Sequence, residues 1–390
     1  MQRWYPLVLA ILALVPGIAL ELGVYHVSPP VAALILGIAI VGAAFLLSWA
    51  AEVIQLDISQ GLALALLALI AILPEYIVDA TFAWLAAKDP EYSHYAIANM
   101  TGANRLLIGV AWPLVVVLVW LRTRKTRVSL EPAHGLELIA LLLATIYAFV
   151  LPIKGTLSLF DCVILVGIFV VYVLRLARMP AEEPHLVGPA ATIGALPART
   201  RRLAVAGLGV LAAVAILLVA EPFAHALIET GTLIGVDEFL LVQWLAPLAS
   251  EAPEFVVVSI FAWRGAASAA LGALVSSKVN QWTLLVAMLP LIYSIGLGHP
   301  GALPLDGRQQ HEILLTAAQS LFAVLLLLDL RLSLIGAGFL FGMFATQFVF
   351  ADIRVEMSIA YLVAGAIAIF ISRAHLGAAF RGARSAGQKH

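Results

Sequence analysis

Twelve apolar stretches, each holding a window of about 20 residues and joined by short polar connections, set the main limit on what this chain can fold into. A run of that length, wound as a helix, matches the thickness of a bilayer's hydrocarbon core. The stretches fall near 6–25, 33–55, 60–87, 95–121, 135–152, 157–177, 203–228, 238–264, 267–298, 310–328, 332–350 and 355–373. Composition agrees: 63% of the 390 residues are hydrophobic, 12% are charged and the mean hydropathy is +1.04. The expected fold is an all-α polytopic membrane protein. The short connections leave no room for a sizeable soluble domain, so any chemistry lies among the helices.

Residues 6–25 follow Arg3 as a signal peptide would, yet no clear small-residue cleavage site follows. With eleven further spans behind it, this stretch reads as an uncleaved first helix. The formal net charge of −1 gives no reason to invoke nucleic acid. The single cysteine, Cys162, cannot form an internal disulfide, and the nine histidines show no metal spacing.

Placing the N-terminus inside puts sixteen of the 22 basic residues in inner segments and four (Lys88, Lys154, Arg308 and Arg354) in outer ones. Arg105 and Lys278 remain at or within the membrane.

Leu73–Trp84 reads Leu-Pro-Glu-Tyr-Ile-Val-Asp-Ala-Thr-Phe-Ala-Trp, and Ala252–Trp263 reads Ala-Pro-Glu-Phe-Val-Val-Val-Ser-Ile-Phe-Ala-Trp. Pro, Glu, Phe, Ala and Trp recur in register, 179 positions apart. An odd number of crossings, five, separates the copies, so equivalent helices run in opposite directions. The expected organisation is an extra helix in 1–30, a first repeat over 31–178 and a cytoplasmic linker at 179–202. A second, inverted repeat covers 203–351, and 352–390 holds a last helix and a basic tail. Inverted halves can enclose a site near the midplane that opens to one side at a time, as transporters do.

A carboxylate at membrane depth costs roughly 2.5–3.5 kcal/mol on insertion scales, so Glu75 and Glu254 read as functional. The prolines before them lack an amide hydrogen, which releases the Ile70 and Ala249 carbonyls as further oxygen ligands. Carboxylates with carbonyls and water form the all-oxygen site that hard cations such as calcium prefer. Once a divalent ion leaves, two close acids cannot both stay bare, so sodium ions or protons must replace it. The contrary reading has Pro kinking the helices and the acids paired with Arg105 and Lys278.

The helix after each copy carries polar residues: Asn99, Gly102, Asn104 and Arg105 in the first, Ser276, Ser277, Lys278, Asn280 and Gln281 in the second. Ser277, Asn280 and Gln281 lie at i, i+3 and i+4 and share a face.

With these residues the chain resembles the calcium/cation antiporter superfamily, best known for sodium/calcium exchangers. That family pairs two inverted five-helix repeats, each with a Gly-Thr-Ser-x-Pro-Glu motif and a following Gly-Asn-x-x-Gly-Ser-Asn motif. The match lies in Pro74-Glu75 and Pro253-Glu254, with Ser250 at the Thr position. Asn99, Gly102, Asn104, Gly272 and Ser277 match parts of the second motif. Leu56-Asp57-Ile58-Ser59 and Gly235-Val236-Asp237-Glu238 resemble the segments that lead into each motif helix. The resemblance implies that Glu75 and Glu254 are the central calcium ligands. Neighbouring oxygens of Ser250, Asn104, Ser277, Asn280 and Gln281 complete the ion sites, with Glu251 beside them.

The departures bear on the coupling ion. Ala71 and Ile72 replace Thr-Ser of the first motif, Ala103 replaces its later Ser, Glu251 replaces a Ser, and Lys278 stands in place of an Asn. Matching Gly272 to Ala98 pairs Lys278 with Asn104, whereas matching the asparagines pairs Asn280 with Asn104. Lys278 would act as a fixed internal cation that neutralises Glu251 or Glu254 and shifts coupling towards protons. Asp79 and Asn99 join it as accessory residues.

The expected function is secondary active exchange of calcium for sodium or protons by alternating access, with no cofactor, in a prokaryotic cytoplasmic membrane. The partners are inorganic cations and lipid; the sequence does not give the oligomeric state. The alternative is a proton-coupled exchanger of sodium or another cation in which Lys278 is the internal cation. A channel would pass net current without a counter-cation, but no string of pore carbonyls is present. An intramembrane enzyme would need a motif such as His-Glu-x-x-His or Gly-x-Ser-x-Gly, and the chain has neither. A phosphate-binding Gly-rich loop for direct ATP use is also missing.

Overall fold

The computed structural model describes residues 4–54, 56–57, 73–178 and 186–372. Ile58, Ser59, Ile70, Ala71 and Ile72, the linker residues 179–185 and the tail 373–390 lie outside the described residues. Helices dominate. Among the described residues, seven are long and apolar enough to cross a bilayer: Pro29–Ile54, Tyr92–Thr123, Pro132–Lys154, Leu159–Leu176, Ala198–Ile234, Glu238–Arg264 and Ala267–Leu297. Tyr5–Glu21 and Leu334–Val349 are shorter apolar helices. Gly307–Leu326 and Arg354–Ser372 are helices of 20 and 19 residues, the first made more polar by Arg308, Glu312 and three glutamines.

The chain forms two compact units that cut across the expected repeats. The first takes Met1–Asn99, Leu176–Glu254 and Ile295–Leu297; the second takes Met100–Arg175, Phe255–Ser294 and Gly298–His390.

In the first unit, α1 (Tyr5–Glu21) and α10 (Ala198–Ile234) both pack on α2 (Pro29–Ile54). Small residues allow the close approach: a Cβ on Gly17 would sit 2.6 Å from the Ala39 Cβ, and one on Gly42 would sit 2.6 Å from the Ala10 carbonyl. At 37 residues, α10 is about 55 Å long, well beyond one hydrocarbon core. It runs unbroken through Glu221-Pro222, where the sequence suggests an interruption. A proline removes one hydrogen bond, but the buried neighbours Val219, Ala220, Phe223 and Ala224 keep the helix packed on both sides of it. Gly235, at φ 69°, ends α10 in the left-handed conformation that glycine adopts without strain.

At one end of this unit, α9 (Pro189–Gly194) lays the buried Ala190 and Ile193 against α2. Beside it, Asp57 accepts two hydrogen bonds from Arg201, both at 2.8 Å, and one from Arg202 at 2.9 Å. These pairs hold the Asp57 carboxyl down at about 2. The helix α3 (Leu73–Ala86) packs on both α2 and α10, and a tight turn joins it to α4 (Tyr92–Leu106).

In the second unit the helix begun as α4 passes through a π turn, Leu107–Ala111, into α5 (Trp112–Thr123). The later motif helix does the same: α12 (Ala267–Asn280), a π turn at Gln281–Leu285, then α13 (Val286–Leu297). Two small antiparallel ladders join distant loops. Strand β1 (Arg127–Ser129) pairs with β4 (Arg331–Ser333), and β2 (Thr156–Leu157), set between α7 (Val150–Lys154) and α8 (Leu159–Leu176), pairs with β3 (Leu303–Pro304). An Asp306/Gln309 capping box starts α14 (Gly307–Leu326), whose inner face packs on α6 (Gly135–Ala148) and α16 (Arg354–Ser372). Glycine permits two tight contacts here. A Cβ on Gly109 would lie 2.3 Å from the Phe344 ring of α15 (Leu334–Val349), and one on Gly272 would lie 2.3 Å from the His134 ring.

Candidate ion-binding site

The acids singled out in the sequence meet within the first unit. Glu75 stands in the first turn of α3 and is 2% exposed; Asp79 follows one turn later, fully buried. Glu251 and Glu254 lie one turn apart on α11 (Glu238–Arg264), with Glu251 4% exposed and Glu254 half-buried. Glu75 hydrogen-bonds to Glu251 and lies within electrostatic reach of Asp79 and Glu254. Its strongest acidic neighbour is therefore Glu251, which replaces a serine of the family pattern, rather than its counterpart Glu254.

The helix α11 is continuous through Pro247 and Pro253. Ser250 uses its hydroxyl proton within its own helix, donating towards the Ala246 and Pro247 carbonyls at 3.3 and 3.2 Å. A hydroxyl bonded this way keeps its oxygen lone pairs for a ligand. The Ile70 carbonyl lies outside the described residues. On the neighbouring helix Asn99, fully buried, donates its amide to Asp79 Oδ1 at 2.6 Å.

Among the described residues no group of three or more His, Cys, Asp and Glu side chains converges to hold a metal ion. Any ion bound at these acids would need hydroxyl, amide, carbonyl or water oxygens as well.

The remaining predicted residues belong to the second unit. Asn104, Ser277, Lys278, Asn280 and Gln281 are all buried. The Lys278 ammonium donates to Asn104 twice, to Oδ1 at 2.5 Å and to the backbone carbonyl at 3.2 Å, and lies 4.5 Å from the centre of the Trp282 ring. Leu107 to Gln281, the starts of the two π turns, is the same 174-residue spacing as Asn104 to Lys278. The structure therefore favours the register that pairs Lys278 with Asn104. Those two positions bond to each other.

Arg105 is drawn to a different acid from those of α3 and α11. It forms an ion pair with Glu312 at 2.5 Å, and Arg354 bonds the other Glu312 oxygen at 2.5 Å. Sequence reasoning placed Arg105 in the membrane but missed Glu312, which lies 207 positions away on a helix with no matching motif. It also passed over Tyr76, whose buried hydroxyl lies within electrostatic reach of both Glu75 and Asp79. Trp84 and Trp263 are exposed, as membrane-interface anchors would be.

The sodium/calcium exchanger protein family model matches residues 28–177 and 204–351. No curated protein matches the chain. Among solved structures, that of the H+/Ca2+ exchanger CAX is 42% identical, covers all of both chains and superposes with a TM-score of 0.94. The Ca2+/H+ antiporter protein YfkE is 15% identical over 92% of this chain and 99% of its own, with a TM-score of 0.63. The sodium-calcium exchanger NCX_Mj is 15% identical over 82% of this chain and 98% of its own, with a TM-score of 0.55. At that identity the last two show a shared fold alone. With two blocks covering most of its length and a full-length relative beyond the threshold of chance resemblance, this chain belongs to the sodium/calcium exchanger family, ion-exchanging integral membrane proteins of the calcium/cation antiporter superfamily.

Proposed function

We propose that this protein is a secondary active antiporter that exchanges calcium for protons by alternating access at an acidic site near the bilayer midplane. The observation that carries the reading is the Glu75–Glu251 hydrogen bond, with Glu254 in electrostatic reach. Two carboxyls share a hydrogen bond only while one of them holds a proton. Calcium, brought against Glu75, Glu251 and Glu254, would expel that proton, and the departure of calcium would call it back. Each ion thus occupies the acids in the other's absence, which is what couples the two flows. The 42% identical H+/Ca2+ exchanger CAX supports the same pair of ions.

The family resemblance assigns Asn104, Ser277, Asn280 and Gln281 as oxygen donors, with Ser250 beside Glu251. Lys278 argues for protons over sodium as the coupling ion. Its ammonium already occupies the Asn104 amide oxygen, so one sodium ligand is committed to a cation fixed in the chain.

We further propose two inverted five-helix repeats, about twelve spans in all, and an inner N-terminus in a prokaryotic cytoplasmic membrane. Support for the inversion comes from the ladders. Exchanging the repeats replaces β1 by β3 and β4 by β2, which turns one observed pairing into the other.

The test uses purified protein in liposomes with a trapped calcium dye. An imposed proton gradient should drive calcium uptake, and a sodium gradient alone should not; Glu254→Gln should abolish uptake. Full uptake driven by sodium alone, unchanged in Lys278→Asn, would refute proton coupling.

A further inference from the structure

Asp79 raises a separate question, because the calcium reading does not use it. It is fully buried, and it accepts a hydrogen bond from a neutral donor, Asn99. Its second oxygen, Oδ2, is buried without a hydrogen-bond partner, as is Asn99 Oδ1. Tyr76, three residues earlier on the same helix and 7% exposed, likewise has a buried hydroxyl with no hydrogen bond. That hydroxyl lies within electrostatic reach of both Asp79 and Glu75. Among the described residues, α2 and α10 pack on α3 and α11 reaches it through Glu75, and none of the three brings a charged side chain against Asp79. The titratable groups that face it are Glu75 and Tyr76, both on its own helix.

A carboxylate in a dry interior is costly as a bare anion, and one amide donor does not offset that cost. Such a group either holds a proton or binds a cation. Three buried oxygens lack hydrogen-bond partners: a carboxylate oxygen and a phenol three residues apart on α3, and the carbonyl of the amide that bonds Asp79; as hard donors carrying one negative charge they suit one positive charge and not two. Val258 stands at the equivalent place in the second copy of the motif, so only one half of the chain carries this feature.

We propose that Asp79, Asn99 and Tyr76 form a second cation site for one monovalent charge, a sodium ion or a proton, distinct from the calcium acids one turn away. It rests on the antiport reading only in that the occupant is drawn from the same solutions. Its consequence is an exchanger that binds one more monovalent charge than its calcium acids require.

Two arms identify the occupant. The first measures the infrared band of protonated buried carboxyls in wild type and Asp79→Asn; the second measures binding of radioactive sodium to both. A proton at Asp79 predicts loss of one carboxyl's intensity in the variant. A sodium ion predicts loss of one bound sodium per protein. Tyr76→Phe removes one oxygen at nearly constant volume and should weaken the occupant about tenfold, seen as a shifted titration or sodium affinity. Should Asp79→Asn fail to fold, Tyr76→Phe decides alone, and no shift in either arm overturns the site. In a folded Asp79→Asn, an unchanged band together with unchanged sodium binding overturns it as well. Glu254→Gln should lose calcium binding yet keep the Asp79 signal, so failure of the calcium reading is told apart from failure of this one.

Discussion

Glu312→Gln should be among the most destabilising single substitutions in the second unit. Glu312 is 1% exposed and serves two guanidiniums, Arg105 and Arg354, each at 2.5 Å. Gln keeps the shape and removes the charge, so Arg105 remains buried beside a second cation without the carboxylate they share. Breaking a buried pair from one side costs about 3–5 kcal/mol, because the stranded charge keeps its desolvation penalty. Arg354 recovers part of its share, since its side chain is 14% exposed, whereas that of Arg105 is 3% exposed. The assay is denaturant unfolding of purified protein in detergent, followed by tryptophan fluorescence. A triple variant, Arg105→Met with Glu312→Leu and Arg354→Met, discriminates the cause: with all charges gone it should lie within about 2 kcal/mol of wild type. If Glu312→Gln costs less than about 1 kcal/mol, or the triple variant is as unstable as the single one, the stranded-charge argument is wrong.

Lys278→Met removes two charge-assisted donors from Asn104 and should cost about 2–4 kcal/mol in the same unfolding assay, with a sodium-dependent component appearing in calcium flux. Gly272→Ala places a methyl 2.3 Å from the His134 ring and should cost about 1–3 kcal/mol, relieved by His134→Ala, as a double-mutant cycle would show. For Asp57, whose folded carboxyl is lowered from 3.8 to about 2, the stabilisation is fully present above the unfolded value and is lost as pH falls from about 4 towards 2. The stability gap between wild type and Asp57→Asn should close over that window, measured by pH-dependent unfolding.

Much of the architecture was legible because a bilayer demands long apolar runs. The span expected near 267–298 is Ala267–Leu297, and that near 332–350 is Leu334–Val349. The Pro-Glu duplication also led straight to Glu75, Glu251 and Glu254, since buried acids stand out against an apolar background. What stayed hidden were pairings across distance. The Glu75–Glu251 contact joins two helices, and no local period records it. Asp79 and Asn99 lie 20 residues apart on a helical hairpin, so their bond depends on how the short turn between Ala86 and Tyr92 brings the two helices together. The unbroken course of α10 was misjudged because a proline's local penalty was read without the packing that absorbs it.

The π turns change how the motif helices should be altered by design. Each holds one surplus residue within an otherwise regular coil, so deleting a single residue there would let the turn relax to an α-helical one while everything beyond it keeps its face. Upstream of the surplus residue lie Asn104 and Lys278; downstream lie the faces that pack α5 and α13. The polar end and the packing end of each helix are thereby indexed independently, and either can be re-engineered without rotating the other.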